Sequence, residues 1–192
     1  MRIIAGNFKG RKLGRSAPGV RPTSDRLRES LFNVLGPRVE GSFWVDAFAG
    51  SGAVGIEAIS RGASHVVFND HSSRSRAGLE NNLALCRISS GFKVYRLDAV
   101  SLFQRLRGRP VDFVFLDPPY DSLNYDQLLA AVHGALAESS PGHLVLLEVS
   151  SRTSDEMTGD YYKVVRRIRA GDSHILMLEP VQSPDAETPA TP

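Results

Sequence analysis

Cysteine is nearly absent. Cys86 is the only one in 192 residues, so no internal disulfide can form, and at the end of an apolar helix face it reads as core rather than nucleophile. Long uncharged apolar runs are missing too, and no basic-plus-apolar leader precedes the first patterned segment, which removes support for membrane insertion and for secretion. A cytoplasmic, reducing compartment is therefore expected. Five histidines, His65, His71, His133, His143 and His174, are scattered without zinc-ligand spacing, so no metal is expected. What is present suffices for a core: 42% apolar residues in a chain of one-domain length exclude disorder.

The net charge is only +2, but it is unevenly placed. Residues 1–40 carry nine Lys and Arg against three acids, a net of +6, which leaves −4 for the remainder. A basic leading segment on a mildly acidic body suits an anionic partner, nucleic acid being the commonest, and suits a solvated arm equally well.

From residue 43 short apolar runs alternate with helical stretches. Strands are expected at Phe43 to Phe48, His65 to Asn69, Phe92 to Leu97, Val111 to Leu116 and His143 to Val149. Helices are expected between them, at Ala53 to Arg61, Ser73 to Cys86, Val100 to Arg107 and Tyr125 to Glu138. The rhythm then changes to two strand-like runs, Tyr161 to Arg169 and His174 to Leu178, around the hairpin-type turn Ala170-Gly171-Asp172. This pattern predicts an α/β fold: a mostly parallel sheet, helices on both faces, and an antiparallel hairpin at the end. Ahead of it lie a loose glycine-bearing hairpin or arm and a helix from Asp25 to Leu35 with Leu27, Leu31, Val34 and Leu35 on one face. The expected divisions are 1–40, a basic extension; 41–180, the α/β body; and 181–192, a proline-bearing disordered tail.

Between the first strand and its helix stands Asp46-Ala47-Phe48-Ala49-Gly50-Ser51-Gly52-Ala53-Val54-Gly55, which contains G-x-G-x-x-G. Glycines allow a sharp turn and close approach of a ligand, and Asp70, twenty residues past Gly50, can accept from both hydroxyls of a ribose. A nucleoside cofactor is expected, held by Asp46, Phe48, Ala49, Gly50, Ser51, Gly52 and Asp70. Asp46 chooses among such cofactors: a carboxylate there repels a pyrophosphate and suits the ammonium and sulfonium of S-adenosylmethionine. Asp98, just after the third strand, can accept from an adenine amino group, can cap the next helix, or both.

Asp117-Pro118-Pro119-Tyr120 follows the fourth strand, at the edge where open α/β sheets bind ligands. Two prolines stiffen the backbone and leave carbonyls without competing amides, Asp117 adds an acceptor, and Tyr120 adds a ring on which a base can stack. A planar exocyclic amine is the substrate group such a loop suits. In isolation the same four residues make a rigid turn; behind a nucleoside loop they point to catalysis.

These two loops resemble those of the Class I S-adenosylmethionine-dependent methyltransferases, whose fold is Rossmann-like with a seven-stranded sheet. Arg2-Ile3-Ile4, Gly10-Arg11-Lys12-Leu13, the run Arg21-Pro22-Thr23-Ser24-Asp25-Arg26-Leu27-Arg28-Glu29-Ser30-Leu31-Phe32-Asn33, and Gly50 to Ala63 resemble, more narrowly, the RsmD family of bacterial 16S rRNA guanine-N2 methyltransferases. The likeness covers roughly residues 1–179. Ala5 stands where that family usually has glycine, Asp70 where glutamate is usual, and His71-Ser72 where a charged pair is common. The resemblance implies methylation of one guanine N2 in the helix 31 loop of 16S rRNA, on an assembled or nearly assembled small ribosomal subunit; separately from the resemblance, a monomer is expected. Arg11, Lys12, Arg21, Arg26 and Arg28 are then the expected phosphate contacts, although Asp25 and Glu29 can pair with Arg28 or its neighbours instead, and Arg26 can face the cofactor.

Base choice has a chemical side. Guanine presents N1–H and N2–H2 as adjacent donors, which a carboxylate accepts, whereas adenine offers an acceptor beside its N6 donor. Three rivals are a nicotinamide oxidoreductase, which has no use for Asp117 to Tyr120; an adenine-N6 methyltransferase acting on DNA or RNA, the DNA enzymes needing a target-recognition domain that this chain has no room for; and a non-catalytic ribosome-binding protein.

Overall fold

The computed structural model describes residues 1–14, 23–118, 124–150, 160–170 and 173–181. Its helices are α1 (Asp25–Leu35), α2 (Ala53–Ser60), α3 (Ser73–Leu85), α4 (Ala99–Leu106) and α5 (Tyr125–Leu136). Its strands are β1 (Phe43–Asp46), β2 (His65–Asn69), β3 (Phe92–Tyr95), β4 (Phe113–Leu116), β5 (Leu144–Ser150), β6 (Tyr162–Ala170) and β7 (Ser173–Pro180). They form one sheet in the order β3-β2-β1-β4-β5-β7-β6, parallel except where β7 runs against β5 and β6. The order reverses between β1 and β4, which opens a crevice at their carboxyl ends.

The central strands β1, β2, β4 and β5 are dominated by buried apolar residues because both of their faces are covered, whereas the edge strand β3 carries the exposed Lys93. One face packs Trp44, Phe68, Phe113 and Leu144 against α1, α2 and α3. The other packs Val45, Val67, Val114 and Val145 against α4 and α5. Local signals set the helix ends. The Ser24 hydroxyl accepts the Leu27 N–H at 3.1 Å to start α1, and Gly36, at φ +55°, stops it. A 3-10 turn over Gly36–Val39, which the sequence pattern did not announce, carries the chain to β1.

The largest departure from expectation is the leading hairpin, which is pinned rather than loose. A bridge pairs Arg2 with Lys12, and Ile3 and Leu13 are buried in the same core as the sheet. The buried Glu57 carboxylate accepts the N–H groups of Ile4 and Ala5 at 2.8 and 3.0 Å, and the Ser60 hydroxyl accepts that of Phe8 at 3.0 Å. Ala5 has an ordinary negative φ, so alanine fits there without strain. Residues 182–192, which hold nearly all of the expected tail, and the turn residues Gly171 and Asp172 lie outside the described residues.

Candidate active site at the carboxyl edge of the sheet

Asp46 closes β1 and is buried, with its Oδ2 accepting the Gly55 N–H at 3.0 Å. Burial pushes its pKa from 3.8 up to about 7, the Gly55 hydrogen bond works against that, and the neighbouring Asp70 charge adds to it. The loop that follows is built from backbone hydrogen bonds. Ala49 N–H donates to the Asn69 carbonyl at 2.8 Å, and Gly50 N–H donates to Asp70 Oδ2 at 2.8 Å. Phe48 and Gly50 remain half-buried, while Ala49, Ser51 and Gly52 are buried.

Asp70 therefore has a local task alongside the ribose role expected of it. Its second oxygen accepts the Ser72 N–H at 2.8 Å, so the carboxylate joins the glycine loop to the start of α3. An ionised carboxylate has about four lone-pair sites, and two backbone donors leave room for hydroxyls.

Gly52 caps α2 in the left-handed region at φ +77°. A Cβ there would lie 2.2 Å from Leu79 Cδ1, and one on Gly55 would lie 2.2 Å from the Phe68 ring. Gly52→Ala is expected to displace the loop and weaken cofactor binding at least tenfold, with about 1–3 kcal/mol lost in stability. Calorimetric titration with S-adenosylhomocysteine beside a thermal melt checks it, and unchanged affinity would show that the loop geometry is not needed.

Two buried asparagines went unread in the sequence. Asn69, at the end of β2, donates to the carbonyls of Ala47 and Leu97 at 3.1 and 3.0 Å and accepts the Leu97 N–H at 2.9 Å, tying together the loops after β1 and β3. Asn82 donates to the Ser51 carbonyl at 2.9 Å and accepts the Gly14 N–H at 2.7 Å, which joins the glycine loop to the leading hairpin. Its signal was available: Ser75, Leu79, Asn82, Leu83 and Cys86 share the buried stripe of α3, and an amide at apolar spacing requires partners.

On the other side of the crevice Asp117 follows β4, half-buried, with Pro118 buried behind it. Register places it in the row of Glu148, because Leu116 pairs with Leu147. Glu148, on β5, accepts the Thr23 hydroxyl at 2.7 Å and so fastens the segment ahead of α1 beside Asp117. Pro119, Tyr120 and Arg21 lie outside the described residues. Asp98 caps α4, accepting the Ser101 N–H at 2.9 Å and its hydroxyl at 2.6 Å; those bonds lower its pKa, and the carboxylate is exposed.

Arg28 corrects an expectation. As a phosphate contact it would have to face water, yet it is completely buried. Its guanidinium donates to the carbonyls of Arg2 and Ala53 at 2.7 and 3.1 Å and pairs with Asp25 at 2.8 Å. Burial lowers its pKa, and the Asp25 and Glu57 charges oppose that shift. It is a fastener between the hairpin and the first turn of α2. Arg11 is also anchored, donating to the Cys86 carbonyl and lying 4.8 Å over the Phe8 ring, although it stays exposed, as do Lys12 and Arg26.

Among the described residues no helix is long and apolar enough to cross a membrane. The family model described as conserved hypothetical protein 95 matches residues 1–179. The ribosomal RNA small subunit methyltransferase D of Escherichia coli is 41% identical over 121 residues, which are 62% of this chain and 60% of that protein. Bacillus subtilis YlbH, which carries a provisional rRNA methyltransferase name, is 39% identical over 135 residues, 69% of this chain and 73% of its own length. The solved structure of Escherichia coli yhhF superposes with a TM-score of 0.76 at 31% identity, covering 94% of this chain and 97% of that one.

Proposed function

The chain belongs to the RsmD family, described as conserved hypothetical protein 95, and from that membership and its crevice we propose that it is an S-adenosylmethionine-dependent rRNA methyltransferase. Its acceptor is the exocyclic N2 of one guanine in the helix 31 loop of 16S rRNA. The enzyme works in the cytoplasm as a monomer, on an assembled or nearly assembled small subunit. One observation carries the reading: the buried Asp46 with its glycine loop, and the Asp117-Pro118 acceptor loop, sit on the adjacent strands β1 and β4 at the same sheet edge.

Asp46 supplies the test of fit. A buried carboxylate whose pKa is pushed up to about 7, and which among the described residues accepts only the Gly55 N–H, is a costly anion, and a cationic cofactor end is the partner that would offset that cost. S-adenosylmethionine, when bound, supplies a methyl group on a sulfonium. Gly50 to Gly52 and Asp70 would hold its nucleoside, and Asp46 its charged end. Asp117 and the Pro118 carbonyl would accept the amine protons of the base, favour a pyramidal nitrogen, and stabilise the positive charge developing there. Asp117 can also take the released proton. Lys12, Arg11 and Arg26 are the exposed basic candidates of residues 1–40 for phosphate contact.

The decisive measurement is mass spectrometry of 16S rRNA from cells with and without the protein. One N2-methylguanosine that depends on the protein is the expected result. Dependence of N6-methyladenosine instead would reassign the base, and no change in any methylated nucleoside would remove the activity.

A pH dependence follows from Asp46. Its folded pKa, about 7, is above the unfolded 3.8, so its contribution to stability is full below about pH 4 and is lost as pH rises toward 7. Cation binding needs the ionised form and has the opposite slope. Cofactor affinity is expected to fall about tenfold from pH 8 to pH 6, and Asp46→Asn should bind weakly with no such slope. Calorimetry across that range checks it; a flat wild-type profile would overturn the role.

A further inference from the structure

Strand β6 is the outer strand of the sheet, and Arg166, Arg167 and Arg169 crowd its second half. All three are exposed. Segment counting placed the basic surface in residues 1–40 and passed over this strand, because its charge shows only once the strand is placed in the sheet.

That place is at the active edge. β6 opposes β7, and β7 opposes β5, so β6 runs in the direction of β4 and β5 and ends at the same edge as they do. Ile168 pairs with Ile175, Ile175 with Glu148, and Glu148 is in the row of Asp117. Arg167 and Arg169 therefore flank the row of the acceptor loop. Three strand spacings separate them from it, roughly 15 Å. A stacked nucleic-acid strand advances about 3.4 Å per nucleotide, so that gap corresponds to about four nucleotides.

Arg166 and Arg169 make no ion pair among the described residues, and their cross-strand partners on β7 are Met177 and His174. The buried His174 registers the field: burial lowers its pKa first, then the Arg169 and Arg167 charges. Lys163, in the first half of the strand, is different, because Glu179 lies 3.6 Å from it. Charges on an edge strand also discourage edge-to-edge pairing, but that task does not require them to gather at the carboxyl end. Helix α1, with Arg26 exposed on it, packs against β6 and extends the basic rim.

We propose that the carboxyl half of β6, through Arg166 and Arg169 with Arg167 beside them, binds the phosphodiester backbone of the RNA flanking the acceptor base. The proposal rests on the rRNA methyltransferase reading. It adds a second phosphate-binding surface, across the crevice from the leading hairpin.

The test uses the full chain and purified small ribosomal subunits lacking the modification. Arg166→Ala with Arg169→Ala should lower the slope of log K against log salt by about 1.4–1.8, two contacts at 0.7–0.9 each. KM for subunits should rise about tenfold or more near physiological salt with kcat retained, while S-adenosylhomocysteine affinity and Tm stay unchanged. Arg166→Lys with Arg169→Lys should restore most of the slope, and Lys163→Ala should leave it alone. If wild-type protein methylates subunits and the double alanine variant matches its slope and KM, the surface is refuted. A double lysine variant as impaired as the alanine one would also refute it, by showing that shape rather than charge matters. If wild-type protein neither binds nor methylates subunits, the functional reading itself has failed.

Discussion

Asp117→Ala is expected to slow methyl transfer at least about a hundredfold, the scale found when one preorganised partner of developing charge is removed. The loss should fall on the chemical step. Asp117 lies beyond the end of β4, with the cofactor loop on the other strand of the crevice, so affinity for S-adenosylhomocysteine should stay close to wild type. Single-turnover methylation of small subunits separates the two quantities. Asp117→Asn keeps one acceptor oxygen and removes the charge, and should be intermediate. Near wild-type turnover in the alanine variant would leave the acceptor loop without its proposed carboxylate role.

The largest stability effect should come from Glu57→Ala. This carboxylate is completely buried and accepts three donors: the N–H groups of Ile4 and Ala5, and Arg61 Nε at 2.7 Å. Its charge also faces the buried Arg28. Removing it strands two backbone donors and leaves two guanidinium groups short of counter-charge, at a cost of about 3–5 kcal/mol. For a chain of this size that is a fall in Tm of roughly 10 °C or more, measurable by calorimetry. Glu57→Gln, which keeps one acceptor oxygen, should lose less. A melt within a degree or two of wild type would mean that the hairpin holds itself in place by apolar contacts alone.

The order of elements was legible because each apolar run has a length and period that only one element satisfies. Ser73 to Cys86 lost a single residue at its end to α3, and His65 to Asn69 is β2 unchanged. The family-like run from Arg21 to Asn33 also carried the membership shown by residues 1–179. Less legible were interactions between distant residues. Nothing local to Ile4 announces Glu57, so the hairpin looked loose. Arg28 was counted among surface charges because counting charges says nothing of which helix face turns inward; its spacing of one residue from Leu27 and three from Leu31 was the available clue. For Asp98 both readings stood open, and the structure supplies the capping geometry. The β6 arginines escaped for the opposite reason: their meaning depends on where β6 ends up, three strands from the acceptor loop.

The hairpin's fastenings also have a consequence in time. Apart from Arg28, 26 residues from Arg2, the polar groups outside the hairpin that hold residues 1–14 come from far along the chain: Glu57 is 53 and 52 residues from its partners, Asn82 is 68 from Gly14, and the Cys86 carbonyl is 75 from Arg11. Thr23 waits longer still, since Glu148 is 125 residues away. A ribosome making this protein extrudes the hairpin well before any of these partners exists, and loop closure over such spans is among the slow steps of folding. The segment made early is thus locked late. Its basic residues leave the exit tunnel before the partners that will fasten the segment, as a cationic strand not yet docked, beside the same class of RNA that the finished enzyme modifies.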